Sequence, residues 1–72
     1  MKKIYLNQNN NVDDLCLELL QKLEILEVDE GQVIEIIAPI NPFTSASIKL
    51  KTKVCQRLIQ LRVKFVIRTV EQ

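Results

Sequence analysis

Thr44, Ser45 and Ser47 gather three hydroxyls just ahead of Lys49. If a helix starts there, its unpaired backbone N–H groups would welcome a phosphate or an acidic side chain. The same hydroxyls are also ordinary helix caps, a role that needs no further residue to explain it. Other chemistry has less to stand on. The chain has no histidine, which removes the commonest general base near neutral pH and the commonest metal ligand. Cys16 and Cys55 sit in separate apolar patterns and cannot assemble a zinc site by themselves. Gly31 is the single glycine, which excludes the dinucleotide and P-loop fingerprints. Asp13, Asp14, Asp29 and Glu30 read as a solvated helix start and a turn rather than as paired catalytic carboxylates. The expectation is a chain without catalysis, metal or cofactor.

Those side chains need elements to hold them. Lys3 to Leu6 reads as a short strand and Asn7 to Asn11 as a polar loop. Asn11 suits a helix cap, with Asp13 and Asp14 in the first turn, and Val12, Leu15, Leu19, Leu23 and Leu26 recur at helical spacing with Cys16 and Leu20 beside them. Glu24 and Glu27 oppose the negative end of that helix, so it should stop soon after Leu26, with Asp29, Glu30 and Gly31 making the turn. Val33 to Ala38 is β-branched and compact, and Pro39 and Pro42 end it and shape the loop Pro39 to Thr44. Residues 48–54 carry two patterns. Ile48, Leu50, Thr52 and Val54 alternate with lysines as in a half-buried strand, but Ala46, Leu50, Val54, Leu58 and Leu61 continue at helical spacing with Cys55 and Ile59 beside them. A helix accounts for more of the segment. Val63 to Val70 is then the last strand, with Phe65 assigned to the core.

Seventy-two residues make one small α/β domain whose thin core would benefit from association. Two cysteines without a disulfide framework and no secretory signal point to reduced thiols in a cytoplasmic setting. No apolar run approaches the roughly 20 residues needed to span a bilayer, so no membrane is expected. The net charge of +1 conceals a sorting. Between residues 13 and 35, eight acids face only one base, Lys22, whereas seven bases and no acid occupy residues 49–68. Such polarity bears on partners rather than on fold.

The order β-α-β-α-β predicts a two-layer architecture: a three-stranded, mainly parallel sheet with two helices on one face. Ile4, Leu6, Ile34, Ile36, Val63, Phe65 and Ile67 can make one apolar face if the strands follow chain order. The other face mixes Tyr5, Val33, Ile37, Val66 and Val70 with Lys3, Glu35, Lys64 and Arg68, a candidate docking surface for a protein partner or a second copy. Two mechanisms follow: a homodimer through that face, or charged helices steering an oppositely charged protein.

From Val33 to Val70, the run V-I-E-I-I-A-P-I-N-P-F-T-S-A-S-I-K-L, then an amphipathic helix and V-K-F-V-I-R-T-V, resembles the central part of a STAS domain, the anti-sigma-factor-antagonist type. In that family the strand leads to an Asp-Ser-Ser-Gly-like motif at a helix start. The resemblance places the Asp at Thr44, the phosphorylatable serine at Ser45, the following serine at Ala46 and the glycine at Ser47, so only Ser45 keeps the motif's chemistry. It implies a reduced STAS-like regulatory interaction domain lacking the family's first hairpin and terminal helix. Two other readings compete. Cys16 in L-C-L-E-L-L resembles the cysteine-bearing helix start of small sulfur-relay carriers, yet Leu17 and Leu19 stand where those carriers have prolines. A buried structural thiol is the simpler account. The basic stretch could track nucleic-acid phosphates, but Tyr5, Phe43 and Phe65 are too scattered to form stacking platforms, so a solvated helix face is preferred.

Overall fold

The computed structural model describes residues 2–8 and 11–70. Its elements are β1 (Lys2–Tyr5), α1 (Val12–Glu24), β2 (Val33–Ala38), a 3-10 turn (Pro42–Thr44), α2 (Ile48–Leu61) and β3 (Lys64–Thr69). The strands form one sheet in the order β1-β2-β3, and both pairings are parallel. The architecture is therefore the two-layer β-α-β-α-β that the periodicities predict. Part of the polar loop expected from Asn7 to Asn11 lies outside the described residues, at Asn9 and Asn10.

Local chemistry sets the helix ends. Asn11 Oδ1 accepts hydrogen bonds from the N–H groups of Asp13 (3.0 Å) and Asp14 (3.3 Å), and both acids lie at the positive end of α1. The helix stops at Glu24, two residues short of the expected Leu26, and Ile25 caps it. Among the three hydroxyls offered for α2, Ser47 takes the cap and accepts from the Leu50 N–H at 3.4 Å. Residues 48–54 are helical throughout. Two residues adopt left-handed backbone, Gly31 (φ 81°) and Arg62 (φ 55°), and the Gly31 N–H donates to the Arg62 carbonyl at 2.8 Å, joining the turns that lead into β2 and β3.

Strands in chain order give both crossovers the same hand, so both helices lie over one side of the sheet. The core sits between the layers. Leu15, Cys16, Leu19 and Leu23 of α1, Ile34 and Ile36 of β2, and Val54 of α2 are fully buried, with Ile4, Leu6, Ala38, Ala46 and Leu58 around them. Register places Ile4, Ile36 and Ile67 in one row beneath the helices.

Three expectations need correction. Phe65 faces the helices but is 39% exposed, because its strand is an edge; it is shielded mainly by Phe43, with ring centroids 5.8 Å apart. Cys55 and Ile59 fall outside the core side of α2 and are exposed. The first and last strands are shifted or trimmed by a residue at their ends, although the Leu6 and Val70 N–H groups still donate to Ile37 and Ala38 of β2.

Because Leu19 is enclosed from both layers, Leu19→Ala removes apolar contact and leaves a cavity, at a cost of about 3 kcal/mol in urea unfolding. Asn11→Ala costs about 1 kcal/mol by leaving two N–H groups without their cap.

Candidate functional site

The side of the sheet turned away from the helices carries the densest mixture of apolar and ionic groups. Side chains paired across parallel strands share a face, which aligns Lys3 with Glu35 and Val66, Tyr5 with Ile37 and Arg68, and Val33 with Lys64. Tyr5 is 60% exposed, Val66 and Val70 are also exposed, and Val33 and Ile37 are half-buried. The structure thus brings Tyr5, Val33, Ile37, Val66 and Val70 onto one surface.

Glu35 behaves differently from a solvated strand residue. It holds the central strand on this open face, yet only 5% of it is exposed. Arg68 Nε lies 3.1 Å from its Oε1. The N–H does not align with that oxygen, so the contact is an ion pair, and among the described residues Oε1 is buried without a hydrogen-bond donor. A buried carboxylate in that condition is costly, because water is gone and only part of its hydrogen bonding has been replaced. It lies in a shallow depression of about 390 Å³, with Lys3, Tyr5, Ile37, Arg68 and Val70 in its walls. Among the described residues of the strands, Lys3, Lys64 and Arg68 make the face basic around this one acid.

The hydroxyl cluster has another arrangement. Asp13 Oδ1 accepts from the Ser47 N–H at 2.8 Å, so a carboxylate from α1 already occupies the start of α2. Thr44 is in the 3-10 turn, where its hydroxyl donates to the Asn41 carbonyl at 2.8 Å. Ser45 and Lys49 are exposed, as is Ser47 itself. An added phosphate would meet Asp13 at this helix start, which opposes anion binding there.

Arg57 makes the reciprocal tie at the far end of the helix pair. Its Nε donates to the Leu23 carbonyl at 3.1 Å and its Nη2 to the Glu24 carbonyl at 3.2 Å, a cation at the negative end of α1. Cys16 is fully buried, and its pKa is raised first by burial, then by Asp13 and Cys55, with Lys51 opposing. A thiol in that setting is a poor nucleophile, contrary to what a sulfur carrier requires. Phe43 and Phe65 pair with each other, while Tyr5 stands on the opposite face, so the aromatics form no shared platform. Among the described residues, no helix is long and apolar enough to cross a membrane.

Sequence reasoning placed Glu35 on this face but missed its burial. The signal that could have found it is position: the centre of the middle strand is covered by neighbours from both sides. No protein-family model matches the chain, and no curated protein or solved structure matches it.

Arg68→Ala should lower stability by about 1 kcal/mol, and the loss should shrink in a Glu35→Gln background, because the buried charge is then gone. A double-mutant cycle in urea checks this, and equal losses in both backgrounds would remove the proposed coupling. Thiol labelling of the native chain should modify Cys55 rapidly and leave Cys16 unreacted until denaturant is added.

Proposed function

We propose that the chain is a non-catalytic, regulatory protein-interaction domain, a reduced STAS-like module, that binds a protein partner through the open face of its sheet. The observation that carries this reading is Glu35 Oε1, buried without a donor among the described residues, in a face that also exposes Tyr5, Val66 and Val70. A partner that covers Tyr5, Val66 and Val70 would remove apolar surface from water, and by drawing the exposed Arg68 side chain aside it could reach Glu35 with an N–H or O–H and complete that carboxylate's hydrogen bonding. Charge narrows the partner further. Lys3, Lys64 and Arg68 surround one acid that is already paired, so acidic groups on the partner complement the rim. A second copy presenting the same face would set bases against bases. The resemblance of Val33 to Val70 to the STAS pattern supports a regulatory role, and it supplies the fold expectation rather than the binding surface.

A photo-cross-linking residue at Tyr5 or Val66 should capture a different protein in the native cell, and one at Gln60 on α2 should not. With that partner purified, Arg68→Glu should weaken binding about tenfold or more, and the association rate should fall as salt is raised. Cross-links confined to α2, or an affinity indifferent to both Arg68→Glu and Val66→Asp, would defeat the proposal.

A further inference from the structure

Two unpartnered features run along one side of the molecule. The first is the free edge of β3. Lys64 and Val70 donate their N–H groups toward β2, to Gln32 and Ala38. In a strand the direction alternates, so Phe65, Ile67 and Thr69 point their N–H and C=O groups outward. Such an edge, in a segment this rich in β-branched and aromatic residues, is a template for another strand.

The second feature is a flank of α2. Its Leu50, Val54, Leu58 and Leu61 turn toward the core, and Lys53, Arg57 and Gln60 line a groove against Leu20 and Glu24 of α1. Ile48, Thr52, Cys55 and Ile59, spaced by four, three and four residues, make a separate stripe on the side away from α1. Ile48 is 77% exposed and Ile59 73%, and Thr52 and Cys55 are exposed between them. The stripe carries no charge, although the helix around it is basic. Because α2 joins β2 to β3, this flank lies above the free edge of β3.

We propose that these two features form one two-fold interface with a second copy of this chain. β3 pairs antiparallel with β3 of the copy, which continues the sheet, and the two α2 helices pack antiparallel above the join. The stripe itself points to a copy. It is symmetric about the midpoint between Lys53 and Val54, so Ile48 meets Ile59 of the copy while Thr52 meets Cys55, with bulky residues at the ends and small ones at the centre. A foreign strand could extend β3, but nothing would give it the matching stripe.

The strand agrees with the helix. At about 1.5 Å per residue, the stripe's midpoint lies about 11 Å from the end of α2, and β3, which starts beside that end and rises about 3.3 Å per residue, has Ile67 near that height. Pairing about Ile67 keeps the helices of both copies on one face. It sets Lys64 opposite Val70, Phe65 opposite Thr69 and Val66 opposite Arg68, with no like charges facing. The outward backbone groups then pair with each other in about six hydrogen bonds. This surface leaves the open sheet face uncovered, so the interface stands or falls independently of partner binding there.

Sedimentation velocity over a wide range of concentrations should show a monomer–dimer equilibrium. Ile59→Glu, at an exposed site, should weaken it about a hundredfold with an unchanged circular dichroism spectrum, and Tyr5→Asp should leave it intact. In a Cys55→Ser background, a mixture of Ile48→Cys and Ile59→Cys chains should form disulfide-linked dimers, whereas neither should link to itself, because like positions lie about 16 Å apart across the axis. A monomer at every concentration, a dimer that survives Ile59→Glu, or self-linking in place of mixed linking would each overturn the interface.

Discussion

Among the described residues, Ile34 and Ile36 lie at the centre of the one strand with a neighbour on each side, and they face both helices. This one-sided arrangement governs the remaining structure. With the strands parallel and in chain order, each crossover returns a helix to the same side, so the leucines of α1 that leave water do so against the sheet, the 3-10 turn or α2. Among the described residues, the opposite face receives no layer. Its central residue is nonetheless enclosed by the strands beside it, and Glu35 becomes a buried acid on an otherwise open surface. The mixture of apolar and ionic groups there follows from the fold rather than from any local preference.

Much of this was legible from residue pattern. Helical spacing from Val12 through Leu23 and the β-branched run from Val33 to Ala38 each have a single sensible reading, and their combination dictates a parallel sheet. Where two periods overlapped, at residues 48–54, the longer helical pattern decided correctly. The misjudged residues are those whose burial depends on neighbours distant in sequence. Phe65 has an apolar side chain on an edge strand, Cys55 and Ile59 sit one helical step outside the core stripe, and Glu35 is hidden by strands on both sides. The hydrogen bond from Ser47 to Asp13 spans 34 residues, beyond any local pattern, and it changes what the hydroxyl cluster can do.

The sorting of acids and bases along the chain also gains a physical meaning. α1 and α2 run in the same direction, and each end of the pair is joined by a group of appropriate sign: Asp13 at the start of α2 and Arg57 at the end of α1. These ties set the axial alignment of the helices more than the exposed pair of Arg62 and Glu30 does, since 3.4 Å contacts between solvated side chains contribute little. Part of the complementarity is used within the molecule. The surplus bases that remain lie on α2 and the open sheet face, where they bear on encounters with other chains.

Pro42 shows how the loop between β2 and α2 is used. It is fully buried, it stands at the front of the 3-10 turn that packs against α1, and Asn41 closes that turn by accepting from the Phe43 N–H at 2.9 Å. The loop is therefore a strut wedged between the layers, without the slack that a conformational latch requires. Rearranging it would expose core, so covering or uncovering the exposed surfaces costs less than changing the shape of the fold itself.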